Sequence, residues 1–133
     1  MPKIKLSQDH VDASNNVYDE GWCVLEVEEL TEKKDRDGAD LFVYSCKITE
    51  AIDEQMKRFI GRKAFINVSE KAFGFAIPFF RACGAVIPEK ISEEGIDLEM
   101  KFCLKKKVRA HNAPKKDKNG VLRNNWDQFL RVE

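Results

Sequence analysis

Residues 98–111 read LEMKFCLKKKVRAH, and apolar and charged side chains alternate along this stretch. Because successive side chains of a β-strand point to opposite faces of the sheet, the alternation predicts a strand, which we place at residues 97–109. One face of that strand is apolar and can pack on a core. The opposite face carries Lys105, Lys107 and Arg109. It therefore predicts a surface that either stays in water or holds something anionic.

Four further strands are predicted on either side of this stretch. Each is a short run that is rich in β-forming residues or alternates in polarity, with turn-forming residues nearby. They occupy residues 22–31, 41–49, 62–69 and 126–132. Asp37-Gly38, between the first two strands, is typical of a hairpin turn because glycine accepts a positive φ there.

A single helix is predicted between the third and fourth strands. In EKAFGFAIPFFRACGAV, residues 70–86, apolar side chains recur three or four positions apart. Ser69 could cap this helix, Pro78 predicts a start or a kink within it, and Gly84 predicts its end. We assign the phenylalanines of AFGFAIPFF to the core.

The predicted order is therefore strand, strand, strand, helix, strand, strand. Five strands with a helix between the third and fourth is the order of the oligonucleotide/oligosaccharide-binding fold (OB fold), a partly open Greek-key barrel. We predict an all-β domain with one helix, an OB-fold-like five-stranded Greek-key barrel, at residues 21–133. A flexible N-terminal arm is predicted at residues 1–20. Ligands of such barrels lie across strands 2 and 3, between the loops that join strands 1–2 and strands 4–5.

Length and composition point to a single globular domain. The chain has 133 residues, of which 43% are hydrophobic and 35% charged, so it is neither disordered nor membrane-bound in composition. No apolar run approaches the roughly 20 residues that span a bilayer. The first residues lack the apolar stretch of a secretory signal, so we expect a cytoplasmic protein that does not bind membranes.

Cysteine and histidine usage bears on metals and disulfides. The four cysteines lie far apart in apolar segments, none forms a C-x-x-C pair, and only two histidines are present. Zinc sites need clustered ligands, so we expect four buried, reduced thiols rather than a metal site, with two disulfides as an alternative. We predict no cofactor.

Charge is unevenly distributed along a chain whose formal net charge is zero. Residues 101–133 carry ten basic side chains against three acidic ones, whereas acidic side chains are in excess in residues 1–100. Such asymmetry predicts a basic surface built by the last third of the chain, unless the two signs neutralise each other in the fold.

On the predicted barrel, cationic side chains fall on the fourth strand, the 4–5 loop, the start of the third strand and the 1–2 loop. These are the elements that OB barrels use for ligands. The candidate nucleic-acid-binding cations are Lys34, Arg62, Lys63, Lys105, Lys107, Arg109, Lys115, Lys116, Lys118 and Arg123. Cations in a groove attract phosphates, and the resulting affinity depends strongly on salt.

A single nucleic-acid strand also needs exposed aromatic faces on which its bases stack. Trp126 and Phe65 are the candidate stacking residues, because each lies on or beside a charged element. For each of them the alternative is packing in the core.

Several stretches also resemble a family of small phage replication-module proteins. They are GWCVLEVEEL at 21–30, DGADLFVYSCKI at 37–48, GRKAFINV at 61–68, RACGAV at 81–86 and a lysine-rich last pair of strands. That family, long labelled as having unknown function, is thought to include single-stranded DNA-binding proteins.

The resemblance implies a bacteriophage-type protein that binds single-stranded DNA in replication or recombination, in the host cytoplasm. By matched position it implicates Arg62, Lys63, Lys105, Lys107 and Arg109 in DNA binding. RNA is an alternative ligand. Replication or recombination proteins, and a second copy of the chain in a homodimer, are further candidate partners.

Two other functions stay open beside this non-catalytic one. Glu99 and Lys101 form a Glu-x-Lys, the pattern of one class of Mg²⁺-dependent nucleases, and on an alternating strand they would share a face. Asp97, Asp40 or Asp53 would then supply a second carboxylate. The other alternative is an adaptor that binds protein partners, for which the acidic first part of the chain could hold a basic partner.

Overall fold

A computed structural model describes Lys3 and residues 17–132, without the side chains of Lys71 and Ala72. Its strands are β1 (Gly21–Lys34), β2 (Asp40–Ala51), β3 (Lys63–Ser69), β4 (Lys107–Asn112), β5 (Lys115–Lys116), β6 (Leu122–Arg123) and β7 (Trp126–Arg131). The α-helix, α1, is Ile77–Ala82, and short 3₁₀ helices occupy Glu54–Phe59, Glu70–Ala76 and Met100–Cys103. No helix in the described part of the chain is long and apolar enough to cross a membrane.

Five of the strands form one antiparallel sheet in the order β3-β2-β1-β4-β7, and β5 and β6 form a separate small hairpin. β1 pairs with β2 along one edge and with β4 along the other, and irregularities after Val24 and Val27 interrupt its register with β2. Such bulges bend a strand and increase its twist. The sheet curls into a half-barrel with its helix between β3 and β4, which confirms the predicted OB-like fold class.

The seam of the half-barrel lies between its two edge strands, β3 and β7, which are not hydrogen-bonded to each other. The core fills the inside of the curl, where Leu25, Val27 and Ile48 are completely buried. α1 packs onto this inner surface through Phe79, whose ring centroid is 5.2 Å from those of both Tyr44 and Phe129. Burial of these large apolar side chains joins α1, β2 and the edge strand β7 in one core.

The helical segment is divided as the proline predicts. Pro78 lies in the first turn of α1, where a missing N–H is tolerated, and the preceding residues form the 3₁₀ helix Glu70–Ala76. Gly84 follows α1 with φ of 106°, the left-handed conformation predicted for a helix end. Ser69 precedes the 3₁₀ helix, but its side chain makes no capping hydrogen bond, so that predicted cap is wrong.

The strand predicted at residues 97–109 is wrong over most of its length. Met100–Cys103 is a 3₁₀ helix, and Lys105 adopts a left-handed φ of 65°. Hydrogen bonding to β1 begins within this turn, where the Lys105 N–H donates to the Val27 carbonyl at 2.7 Å. The alternation led to a wrong prediction because a 3₁₀ helix and a tight turn can also direct closely spaced apolar side chains to the core. Cys103, for example, is completely buried there.

All four cysteines are buried free thiols, as predicted. Burial raises the pKa of Cys23 and of Cys46 to about 12. A hydrogen bond with Cys83, followed by burial, raises the pKa of Cys103. The thiols of Cys23, Cys46 and Cys103 are therefore protonated at neutral pH, and all four cysteines act as small apolar core groups.

Most of the predicted N-terminal arm, residues 1–20, lies outside the described residues. Residues 17–20 lie against the barrel. The Tyr18 ring is 4.8 Å from that of Phe59, and the Tyr18 hydroxyl donates to the Lys63 carbonyl at 2.5 Å. Tyr18 thereby connects the segment before β1 to the start of β3.

Candidate nucleic-acid interface

A groove of about 810 Å³ lies between β3 and the segment that contains β6 and the start of β7. Arg62, Lys63 and Phe65 line one wall, and Arg123 and Trp126 line the other. These five are all candidate binding residues from the sequence, although some sixty positions separate the two walls along the chain. The fold therefore brings three cations and two aromatic side chains to a single concavity.

Strict alternation along β3 decides which side chains reach the groove. Ala64, Ile66 and Val68 are buried, whereas Lys63, Phe65 and Asn67 are exposed. Phe65 remains 55% exposed, so one face of its ring is accessible from solvent. This is the period-2 pattern of a strand with one face on the core.

Trp126 occupies the opposite wall as the first residue of β7. It is half-buried, packing against the core while also lining the groove. The sequence left two roles open for Trp126, packing in the core and binding a ligand. Its position, against the core and in the groove, is compatible with both. Its partial exposure leaves it able to contact a ligand, and the core contact fixes its orientation.

The β5–β6 hairpin is organised by Asp117. Its carboxylate accepts from the N–H groups of Asn119 at 2.8 Å and Val121 at 3.0 Å, and from the Arg123 Nε at 2.8 Å. The hydrogen bond from Arg123, then that from Val121, lowers the pKa of the Asp117 carboxyl. The Arg123 side chain is nevertheless 68% exposed, so its guanidinium retains donors directed to solvent.

The lysines of this hairpin are exposed. Lys115 lies opposite Arg123 in the β5–β6 pair, and Lys116 lies opposite Leu122. Lys118 lies in the connecting turn. No ion pair is found for these three lysines or for Lys63 within residues 17–132. Lys63 lines the groove, and the three hairpin lysines lie beside it; we call these four side chains the rim of cations.

Asn112 holds the hairpin wall to the barrel, a role that we did not predict. It is completely buried, and its Nδ2 donates to the Tyr18 carbonyl at 3.2 Å and to Asn124 Oδ1 at 3.0 Å. Its Oδ1 accepts from the Asn125 N–H at 2.9 Å. A sequence signal existed: Val108, Ala110 and Asn112 share the core face of β4, and an amide at a core position needs partners.

Other candidate cations lie away from the groove. Lys107 and Arg109 point outward from β4, and the Arg109 Nε donates to the Arg131 carbonyl at 2.7 Å. Lys105 lies in the turn before β4. Lys34 pairs with Asp40 at the end of the β1–β2 hairpin, and the hydrogen bond with Asp40 raises the pKa of Lys34. The basic residues of the last third therefore form separate groups, of which only Arg123 lines the groove.

Phe75 was assigned to the core from the sequence, and this is wrong. Its side chain is 86% exposed, because it lies in the 3₁₀ helix before α1 rather than on a continuous α-helical face. Phe79 and Phe80 are completely buried, as predicted. Phe75 borders a second, smaller cavity in the seam between β3 and β7.

The strand geometry on which the nuclease alternative depended is absent. Glu99 Oε1 accepts a hydrogen bond from the Lys101 N–H at 3.0 Å, so the carboxylate caps a 3₁₀ turn. Within residues 17–132 no group of three or more His, Cys, Asp or Glu side chains could hold a metal ion.

Comparison with models of known protein families finds no match for the chain, and no curated protein is significantly similar to it. The resemblance to phage replication-module proteins remains a prediction that depends on the short stretches quoted above. Function is therefore inferred from the groove itself.

Proposed function

We propose that the protein binds single-stranded DNA, without catalysis, in the groove between β3 and the β5–β6 hairpin. The observation that supports this is the composition of the groove. Arg62, Lys63 and Arg123 can pair with phosphates, while Phe65 and Trp126 can stack on bases. A role in phage-type DNA replication or recombination, in the cytoplasm, is part of the same proposal.

The position of the groove favours this ligand. OB barrels bind oligonucleotides on strands 2 and 3 and at the loop between their last two strands, and β3 and the β5–β6 hairpin are the corresponding elements here. The hairpin lysines extend the positive charge beyond the groove, along the path that a backbone would take. Phosphate contacts supply a salt-dependent part of the affinity, and stacking adds about 1–3 kcal/mol per base.

Single strands suit the groove better than duplexes. The aromatic side chains lie inside a concavity, and the faces of paired bases in a duplex are covered by their neighbours. Only an unpaired strand can turn its bases toward Phe65 and Trp126 without the cost of unstacking, which is a few kcal/mol for a base in a duplex. Single-stranded RNA presents the same faces and is the natural competitor ligand.

A titration with labelled oligo-dT, duplex DNA and oligo-U at two salt concentrations tests the proposal. We expect oligo-dT to bind without cleavage, and to bind more tightly than the duplex. We expect log affinity to fall with log salt by about 0.7 per phosphate contact. In a Trp22→Phe variant, Trp126 is the only tryptophan, and its fluorescence should be quenched by oligo-dT.

A charge-reversal pair locates the binding site. Lys63→Glu with Lys116→Glu should weaken oligo-dT binding at least tenfold and reduce the salt dependence. Lys90→Glu with Lys101→Glu makes the same change in net charge at exposed positions outside both the groove and the β5–β6 hairpin, and affinity should change far less. Equal losses in the two variants, or no binding by the wild type, would contradict the proposal.

A further inference from the structure

The smaller cavity has a volume of about 190 Å³ and lies in the seam, further along β3 than the groove. Its walls come from β3, the Glu70–Ala76 helix, α1 and β7. Asn67 and Trp126 line both the groove and this cavity. A ligand that follows β3 from Lys63 toward Ser69 therefore passes from the cationic groove directly into the smaller cavity.

The second cavity differs from the groove in its chemistry. The lining of this cavity is mainly apolar and includes Val68, Ala76, Phe79 and Phe129. Phe75 also lines it, with 86% of its side chain exposed. No cation lines it. It therefore suits an uncharged, flat, largely apolar group better than a phosphate.

Asn67 supplies the polar group of this site. It is exposed on β3, and its side-chain amide makes no hydrogen bond to another described residue. A primary amide carries two donors and an acceptor, which match the edge of a nucleobase. Ser69, at the end of β3, lies on the same cavity.

We propose that this cavity takes one unstacked base, of pyrimidine size, from the strand bound in the groove, with the Phe75 ring against its face and the Asn67 amide at its edge. The inference rests on the proposed function. Size supports a pyrimidine, because an apolar cavity of about 150 Å³ holds a benzene ring. A purine, with two fused rings, is larger and fits this space less well.

The position of the cavity explains why its occupant would be a base rather than another group. The rim of cations places the phosphates at the groove, and the cavity opens next to it along the same strand. A base attached to a backbone held there is the nearest flat, uncharged group. The exposed Phe75 ring would then be covered only in the complex.

The test compares oligo-dT with oligo-dA, each of about 12 nucleotides, for the full chain and its variants. Phe75→Ala should weaken oligo-dT binding about tenfold, as expected for the loss of one stacked base. It should also bring the ratio of the two affinities closer to one. Self-stacking of oligo-dA is the same for every variant, so a change in this ratio reports on the protein. Asn67→Ala should weaken oligo-dT binding several-fold.

Phe102→Ala is the matched control, because Phe102 is partly exposed and lines neither cavity. Wild-type affinity and ratio in Phe75→Ala would overturn this inference while leaving the proposed function intact. A second contradicting result is that Phe75→Ala keeps wild-type DNA affinity and turns a dimer into a monomer, measured by light scattering. That outcome would assign the cavity to a second copy of the chain and would also overturn this inference. Failure of the wild type to bind any single strand would overturn both proposals.

Discussion

At the scale of single residues, Asn112 connects the fold to the groove. It is the single buried polar residue in the described part of the chain, and it joins three segments that are distant in sequence. Its partners are the Tyr18 and Asp19 carbonyls, the Asn124 side chain and the Asn125 N–H. A buried hydrogen-bonded amide favours one arrangement of these segments, because a displacement of any of them would leave buried polar groups without partners.

We expect Asn112→Ala to lower the free energy of unfolding by about 2–4 kcal/mol. The substitution leaves several partly buried donors and acceptors without a partner, and each unsatisfied group costs about 1–3 kcal/mol. Urea denaturation followed by circular dichroism measures the change. Asn119→Ala, at the exposed hairpin turn, is the control and should stay within about 0.5 kcal/mol of wild type. Equal stability of Asn112→Ala and wild type would show that water replaces the amide.

At the scale of elements, alternation and turn chemistry predicted four strands well. β1 and β2 enclose the predicted ranges, and β3 and β7 each differ from their predictions by one residue. The hairpin turn has Gly38 at φ of 83°, as the Asp-Gly pair indicates. The clearest case is β3, where one face is buried and the other is exposed, so that periodicity and burial agree.

The segment before β4 could not be predicted in the same way. Its apolar side chains reach the core from a 3₁₀ helix and a turn, and period-2 spacing does not distinguish that arrangement from a strand. The exposure of Phe75 was missed for a related reason, because the helical pattern continues through a 3₁₀ segment that rotates its side chains differently. In both places tertiary packing decided between two local structures that fit the same pattern.

In and just after the turn before β4, we expect glycine substitutions at two nearby positions to change the free energy of unfolding in opposite directions. Lys105→Gly should raise the free energy of unfolding by about 0.5–1 kcal/mol, because a left-handed conformation costs an L-residue about 1–2 kcal/mol and glycine almost nothing. Lys107→Gly removes the same side chain inside β4 and should lower stability by about 1 kcal/mol. Thermal and urea unfolding measure both variants. A loss of stability in Lys105→Gly would mean that the lysine side chain makes a contact worth more than the strain.

At the scale of the whole molecule, the groove exists because the sheet curls without closing. Its walls are an edge strand and a hairpin attached to the opposite edge, and their separation along the chain is too large for any local signal to reveal. The sequence located the candidate cations but not their grouping. The excess of basic residues in 101–133 is divided between the hairpin beside the groove and the outer face of β4.

Charge neutralisation, the alternative considered for these residues, is partial. Arg123 pairs with Asp117 and Lys34 with Asp40, but both cations stay largely exposed. Exposed ion pairs of this kind contribute about 0–1 kcal/mol, so a phosphate can compete with the carboxylate for the same guanidinium. The positive rim therefore persists on a chain whose net charge is zero.

A ligand that joins both edges of the half-barrel should stabilise the entire molecule. At a free concentration of 100 Kd, a ligand that binds only the folded state adds about 2.7 kcal/mol to the free energy of unfolding. For a chain of this size that corresponds to a rise in Tm of several degrees. We expect oligo-dT to raise Tm in this way at low salt and to lose the effect at high salt, because phosphate contacts are screened. Duplex DNA at equal phosphate concentration is the control and should raise Tm less. An oligo-dT that binds without raising Tm would bind the unfolded chain equally well, which is incompatible with a site that only the curled sheet assembles.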